Sequence, residues 1–355
     1  MNEISFADSI IGHNQPCYII AEAGVNHNGS LEIGCKLIDV AADAGADAVK
    51  FQTFKTEEII LSKAPKAAYH IETTGDDSQQ SWFDLLKSQE LDKSMHQKLI
   101  EHCNSRGIQF LSTPYDLSSI DLLVDLEIPI FKVASTDANN LPLLQYMASK
   151  GKPIILSTAM CDLREVKKSV SIIRDAGIND IVVLQCTGSY PAPFQQANLS
   201  AMKEIAQECN VAVGYSDHVP GFNAAISAVA MGACVYEKHF TLDRNLPGPD
   251  HRSSLEPKEL KELIHILRET EAMLGDGVKK VMPCEANNRS ILRKFIVAKK
   301  MINIGEEFSI ENLTTKRSGG QGLEPGMWNK IIGLKSVQMF DKDQPITESD
   351  VKDCK

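Results

Sequence analysis

No Cys-x-x-Cys pair occurs in the 355 residues, although nine cysteines are scattered through them. An odd count without paired spacing excludes neither fold nor function outright, but it speaks against a disulfide framework or a thiolate zinc site and for a reducing compartment. Basic charge is also short: 37 Lys and Arg against 47 Asp and Glu leave a net charge of −10. So acidic a chain is not expected to coat nucleic acid or an anionic membrane. Long apolar runs are missing, and the most apolar stretch, Ile226 to Tyr236, is too short for a bilayer. The opening MNEISFADS has no basic segment leading into an apolar one, so a secretory leader is not expected and a cytoplasmic location is. No GxGxxG follows the first strand-like run, which removes the dinucleotide fingerprint. The 43% hydrophobic and 24% charged residues that remain describe a globular chain with room for one large domain and a small one.

Eight β-branched runs recur through the first 240 residues: 18–24, 48–54, 109–115, 130–136, 153–159, 181–187, 211–217 and 235–240. Between them lie amphipathic stretches such as Leu31–Ala44, whose Leu31, Cys35, Leu37, Ile38 and Ala42 form an apolar stripe. Strand alternating with helix predicts parallel βαβ units, and eight of them fit an α/β (β/α)8 TIM barrel of about 250 residues. A doubly wound open sheet is the competing architecture, disfavoured because polar residues end nearly every run instead of gathering at one switch point. One connection, Lys55 to Ile108, is far too long for a simple crossover; its KAPKAAYHIETTGDDSQQ stretch is either a binding loop or a plain insertion. Leu255–Leu274 reads as the closing helix, after which the pattern changes. We expect a barrel domain over 1–280, a linker at 281–289, and a small β-rich domain over 290–355 with a last strand at Ile346–Val351. From Ser290 onward 11 Lys and Arg face 9 Asp and Glu, so the tail carries +2 and the remainder −12.

The C-terminal ends of barrel strands converge on one mouth. Residues expected there include Glu22, Lys50, Gln52, Thr113, Lys132, Ser135, Asp137, Ser157, Ser189, Ser216, Asp217, His218, Glu237, Lys238 and His239. Lys50 and Lys132, with the hydroxyls of Thr113, Ser135, Ser157 and Ser216, form a candidate cradle for a small phosphate or carboxylate. His218 and His239 end consecutive strands and are candidate ligands for a divalent cation, with Glu22 across the mouth and Glu237 near. Their nitrogens suit Mn²⁺, Co²⁺ or Zn²⁺ better than Mg²⁺. His27, in VNHNGS, is a weaker candidate at the first loop. These residues alone point to a metal-dependent barrel enzyme acting on a small anion and a polar co-substrate.

Taken together, IIAEAGVNHNGS (19–30), AGADAVKFQTFK (44–55), FLSTPYD (110–116), FKVASTDANN (131–140), GKPIILSTAM (151–160), LQCTGSYPAP (184–193), VGYSDHVPG (213–221), EKHFTLD (237–243) and PGPDHRSSLEP (247–257) resemble the sialic acid synthase family. The tail, FIVAKKMINIGEEFSIENLTTKRSGG (295–320), resembles the antifreeze-protein-like (SAF, β-clip) module of these synthases. The resemblance implies phosphoenolpyruvate condensing with the open-chain aldehyde of an N-acetylmannosamine-like sugar and releasing phosphate by C–O cleavage. It places phosphoenolpyruvate on Lys50, Thr113, Lys132, Ser135, Ser157 and Ser216, and a divalent metal, Mn²⁺ with Co²⁺ or Mg²⁺ as alternatives, on His218 and His239. Glu22 falls at the proton-handling position, and Gln52, Tyr190 and Asp250 at sugar contacts. Arg317 matches an arginine that reaches the partner's barrel, which implies a domain-swapped homodimer. Two positions depart from the pattern. Gly188 stands where some relatives have asparagine, leaving Ser189 as the nearest substitute, and Asp137 stands where some have a glutamate.

Within the family, KFQTFK, KAPKAAYH and VNHNG look most like the legionaminic acid branch, whose substrate would be 2,4-diacetamido-2,4,6-trideoxymannose. N-acetylneuraminate synthase is the alternative, followed by pseudaminate synthase. A KDO-8-phosphate synthase-like transferase would want more basic residues and no tail module, and a non-catalytic sugar-binding protein would not need the histidine and lysine set.

Overall fold

The computed structural model describes residues 3–12, 15–66, 68–75 and 80–351. Two compact units divide at Gly275/Asp276. In the first, a short antiparallel hairpin, β1 (Ile4–Phe6) and β2 (Ser9–Ile11), precedes eight parallel strands. These are β3 (Tyr18–Gly24), β4 (Ala48–Thr53), β5 (Gln109–Pro114), β6 (Phe131–Val133), β7 (Ile154–Ser157), β8 (Ile181–Cys186), β9 (Ala212–Asp217) and β10 (Val235–His239). Their order, β5-β4-β3-β10-β9-β8-β7-β6, with β5 and β6 also neighbours, makes a nearly closed barrel. The expected strands stand within a few residues of their ends. Parallel strands covered on both faces must be apolar throughout, and β3, YIIAEAG, is buried at every position.

Around the barrel run α1 (Leu31–Ala44), then α2 (Thr56–Ile59), α3 (Ala68–Thr74), α4 (Trp82–Lys87) and α5 (Lys93–Arg106) in the long β4–β5 connection. Next come α6 (Leu117–Asp125), α7 (Leu141–Ala148), α8 (Leu163–Asp175), α9 (Ala201–Cys209), α10 (Asn223–Ala230) and α11 (Pro257–Leu274). Local chemistry sets their ends. Ser30 caps α1 by accepting from the Ile33 amide, and Gly45, at φ +84°, closes it. Asp162 and Glu165 form a capping box on α8. Ala67 and residues 76–79 of the KAPKAAYHIETTGDDSQQ stretch lie outside the described residues.

Side chains of alternate strand positions divide between two cores. One set packs against the helices through Ile19, Val49, Phe110, Phe131, Val183 and Tyr236. The other fills the barrel near the strand starts: Ile20, Ala48, Leu111, Ile130, Ile155, Val182, Ala212 and Val235. Ile4, Phe6 and Ile11 of the hairpin join that inner core, so a segment too short to carry a periodic signal closes the N-terminal end of the barrel. Gly214, in the inward row of β9, has no room for more: a Cβ there would lie 2.2 Å from the Val235 carbonyl oxygen and 2.7 Å from Leu184 Cδ2.

The second unit has its own core around Ile296, Phe308, Leu313, Ile331, Phe340 and Ile346. Its only ladder among the described residues is the hairpin of β11 (Lys294–Ala298) and β12 (Leu313–Arg317). The strand expected at Ile346–Val351 is instead a 3₁₀ turn, Glu348–Asp350, between isolated bridges at Pro345 and Val351. The Asp350 carboxylate accepts from both the amide and the hydroxyl of Thr347, a local pairing that competes with a ladder. The residues expected as a linker, 281–289, run into α12 at Ala286–Leu292.

Gly214→Ala should force the β9–β10 ladder apart or displace Leu184, at a cost of about 1–3 kcal/mol or more. The thermal midpoint is expected to fall by several degrees, whereas Gly177→Ala, at a left-handed glycine with open space, tests backbone strain without the clash.

Candidate active site

Two residues above the inner apolar core, the inward row changes character. Ile20 gives way to Glu22, Ala48 to Lys50, Leu111 to Thr113, Ile130 to Lys132, Ile155 to Ser157, Leu184 to Cys186, Gly214 to Ser216 and Val235 to Glu237. Lys50 Nζ lies 2.7 Å from a Glu22 oxygen and 3.7 Å from Glu237, and donates to Thr113 Oγ1 at 3.0 Å. Lys132 Nζ donates to Ser157 Oγ at 2.7 Å and sits 3.4 Å from Glu237. Ser216 Oγ reaches Glu237 at 3.5 Å. Four buried charges of zero sum thus share one layer, each less than 9% exposed as a side chain. Thr113, Ser157 and Ser216 of the anticipated cradle stand in this layer with the two lysines, whose ammonium groups already face carboxylates.

Glu237, given only a minor part by the sequence reading, is the hub between the two lysines. Strand parity with His239, two positions on, was the available signal. Asp217 and Lys238 are corrected in the opposite sense: they pair with each other at 3.0 Å, and the Tyr236 hydroxyl donates to Asp217 at 2.7 Å, on the other side of the strands from this layer. His27 is fully buried against Phe51 rather than at the mouth; its Nδ1 accepts from the Gly29 amide.

Above the charged layer stand the two imidazoles, with ring centroids 5.8 Å apart, and Tyr190 packs on both at 4.0 and 5.9 Å. His218 Nδ1 donates to the Thr187 carbonyl at 2.8 Å, which leaves Nε2 as its free lone pair. His239 Nδ1 is buried without a hydrogen-bond partner. Burial above all, with Lys50 among the neighbours that add to it, holds His239 well below its ordinary value, so it stays neutral. A neutral, unpartnered imidazole nitrogen beside a second oriented imidazole fits a borderline divalent cation whose other ligands are oxygen. Among the described residues no third His, Cys, Asp or Glu joins them as a ready-made ligand group.

The remaining candidates are placed as follows. Gln52 Nε2 donates to Glu22 Oε1 at 3.3 Å. Ser135 Oγ accepts from the Ala159 amide, and half-buried Asp137 is held by Asn140 at 2.9 Å. Asp250 is pushed up to about 6, chiefly by burial, with His218 opposing. Ser189 is exposed and donates to the Pro191 carbonyl, so it is not brought into the charged layer. Arg317 ends β12 in the second unit, exposed and in register with Lys294.

Burial raises Glu22 from an ordinary 4.5 to about 7, with Lys50 opposing and Glu237 adding to the rise. A carboxyl whose folded value lies above its unfolded one contributes stability that is complete below about pH 4.5 and is lost as pH rises through 7. In metal-free protein, the urea midpoint of the wild type should therefore fall relative to that of Glu22→Gln between pH 5 and pH 8. A gap that does not change with pH would place the titration elsewhere.

Comparison with known proteins agrees with this geometry. The NeuB family model matches residues 37–279, and the SAF domain model matches residues 293–352. The N,N'-diacetyllegionaminic acid synthase of Campylobacter jejuni subsp. jejuni serotype O:2 is 46% identical over 332 residues, 93% of this chain and 98% of that protein. The protein of the same name from Legionella pneumophila subsp. pneumophila is 42% identical over 328 residues, 91% of each chain. The crystal structure of N-acetylneuraminic acid (sialic acid) synthetase from Leptospira borgpetersenii, in complex with citrate, superposes with a TM-score of 0.71 at 34% identity, over 81% of this chain and 95% of that one. The first match runs through seven of the eight barrel strands and the second through the hairpin of the tail, and on this ground the chain belongs to the NeuB family of phosphoenolpyruvate-dependent nonulosonic acid synthases.

Proposed function

We propose that this synthase condenses phosphoenolpyruvate with open-chain 2,4-diacetamido-2,4,6-trideoxymannose to give N,N'-diacetyllegionaminate and inorganic phosphate. The choice of sugar is supported by the 46% and 42% identity to proteins named for that product. The observation that carries the chemistry is the buried layer of two ammonium groups and their hydroxyl partners at the closed depth of the barrel.

Phosphoenolpyruvate is a small polyanion, and Lys50, Lys132, Thr113, Ser135, Ser157 and Ser216 supply the donors for its phosphate and carboxylate. To bind there it competes with Glu22 and Glu237 for the ammonium groups. Carbon 3 then bonds to the aldehyde carbon, whose oxygen takes a proton. Water bonds to carbon 2, and the C–O bond to phosphate breaks with the electron pair leaving on phosphate; the water oxygen gives up both protons, one matching the proton taken by the aldehyde oxygen and one to phosphate, and becomes the carbonyl oxygen of carbon 2. Glu22, titrating near neutrality beside this centre, is suited to hold and return those protons. A divalent cation, Mn²⁺ or alternatively Co²⁺ or Mg²⁺, would be held by His218 and His239 and supplies Lewis acidity to the aldehyde oxygen. Gln52, Asp137, Tyr190 and Asp250 are assigned to the sugar, and Arg317 to the sugar bound by a second copy of the chain in a swapped dimer.

Phosphate release should be measured with phosphoenolpyruvate and, in turn, the diacetamido sugar, N-acetylmannosamine and the pseudaminate precursor. The diacetamido sugar is expected to give the highest kcat/KM; a higher value with N-acetylmannosamine would make the chain an N-acetylneuraminate synthase. Lys50→Ala and Lys132→Ala should each raise the KM for phosphoenolpyruvate about 10- to 100-fold, the loss of a contact worth about 1.5–3 kcal/mol, with a smaller change for the sugar. Unchanged phosphoenolpyruvate KM in both variants would move the anion site.

Mixing inactive His218→Ala with inactive Arg317→Ala under conditions that exchange subunits tests the dimer. In a swapped dimer one mixed site carries both defects and the other neither, so a fraction of wild-type activity should return. No return despite demonstrated exchange would exclude the assignment of Arg317 to a partner's site.

A further inference from the structure

On the helix side of the strands, behind the two imidazoles, Asp217 and Lys238 form a buried ion pair that the proposed reaction does not use; they are 1% and 4% exposed. Each stands one residue before a candidate ligand, Asp217 before His218 and Lys238 before His239. The two are direct partners across β9–β10, so their 3.0 Å contact joins the ends of the strands that carry the imidazoles. Neighbouring residues of a strand point to opposite faces. The pair therefore holds the strand ends from outside while both rings stay at the mouth.

The same two side chains hold the backbone that leaves His218. Asp217 Oδ1 accepts from the Val219 amide at 2.8 Å, an Asx turn whose ring encloses His218, and Lys238 Nζ donates to the Val219 carbonyl. The Tyr236 hydroxyl fixes the other carboxylate oxygen at 2.7 Å. From the β8 side, the His218 carbonyl accepts from the Ala192 amide at 2.9 Å, and its Nδ1 donates to the Thr187 carbonyl at 2.8 Å. Backbone and ring of His218 are thus held by separate contacts. A buried ion pair contributes little stability beyond that of apolar side chains of the same size, so what this one supplies is geometry.

We propose that Asp217 and Lys238 are positioning residues for the cation site: they fix the backbone that carries His218 and tie it to the strand end that carries His239. The two imidazoles, 5.8 Å apart between ring centroids, are in this way set in place by the fold before a cation arrives. The assignment rests on the reading of His218 and His239 as ligands. Its consequence is a change in cation affinity, which is measured without turnover.

Mn²⁺ binding to metal-free protein, read from the electron paramagnetic resonance signal of the free ion, should be compared for wild type, Asp217→Ala, Lys238→Met, His218→Ala and Leu123→Ala, with the thermal midpoint of each. Leu123 is a fully buried residue of α6, across the barrel from β9 and β10, so truncating it costs stability without touching the site. Asp217→Ala and Lys238→Met are each expected to raise the Mn²⁺ Kd about 10- to 100-fold, as the loss of an orienting outer contact does. Leu123→Ala should lower the midpoint and leave the Kd unchanged. Lys238→Met keeps Asp217 bonded to Tyr236 and Val219, and it carries the test if Asp217→Ala does not fold. A wild-type Kd in either folded variant, with binding lost in His218→Ala, would overturn the positioning role and leave the ligand reading intact. An equal loss of affinity in Leu123→Ala would overturn it too, by showing that general loosening suffices. A wild type that binds no Mn²⁺, or a His218→Ala that binds it as tightly, would remove the ligand reading and the positioning role with it.

Discussion

Four charges buried in one layer of a barrel are the constraint on which the rest depends. An isolated ammonium or carboxylate at this depth would carry a desolvation cost of several kcal/mol, and Lys50, Lys132, Glu22 and Glu237 are tolerable only because each faces an opposite charge. That requirement reaches into the register. Glu22 stands beside Lys50 across β3–β4 and beside His239 across β3–β10, and Glu237 stands beside Ser216 across β9–β10. A slip of one residue in any of these strands would turn a charge into the apolar layer behind the sheet. An ionic layer of this kind stabilises less than it specifies: breaking one pair strands the other group, at about 3–5 kcal/mol.

The same layer is a poised binding site. Its charges cancel, so an incoming polyanion is attracted only to the extent that it replaces Glu22 and Glu237 as the partner of the lysines. The two carboxylates are not equivalent. Glu237 lies below its usual range because Lys132 and Lys50 outweigh its burial, whereas Glu22, with Lys50 as its principal cation, is raised to about 7. Of the pair, Glu22 is the one able to yield its charge by taking a proton near neutrality. Environment thus separates two chemically similar groups into one fixed counter-ion and one proton carrier.

The strands were legible in the sequence because parallel strands covered on both faces must start as continuous apolar runs, as PIIL and IVVL do. Lys50, Thr113, Lys132, Ser157, Ser216, His218 and His239 were legible for a related reason: a polar residue at the end of an apolar run has few places to go in a barrel. The direction of each side chain was harder. Asp217 and Lys238 sit among the right residues but on the wrong parity, and they satisfy each other outside the layer. The hairpin of Ile4–Phe6 and Ser9–Ile11 escaped because two three-residue strands carry no period, and its position is decided by contacts with the barrel core rather than by local pattern. In the tail, Thr347 and Asp350 override the strand propensity of Ile346 and Val351 with side-chain bonds to the turn. The long β4–β5 connection was visible as an anomaly of length alone. What fixes it on the barrel, the close approach of Gly29 to the Ser88 carbonyl, is tertiary.

The missed hairpin also explains why the charged layer can exist at all. Ile4, Phe6 and Ile11 seal the strand starts, and Phe6 packs edge-on against Tyr18 at 5.3 Å. Below Glu22 and Lys50 the barrel is therefore filled with Ile20, Ala48, Leu111, Ile130 and Val182, which give the layer an apolar floor. A floor of this kind lowers the local dielectric on one side of every ion pair, which strengthens the attraction between partners and the penalty for leaving one alone. Opening the floor would let water reach the lysines from below, weakening their hold on a substrate anion without changing any residue that touches it. In this fold the apolar plug at one end and the ionised layer above it form a single device: the first sets the dielectric in which the second works.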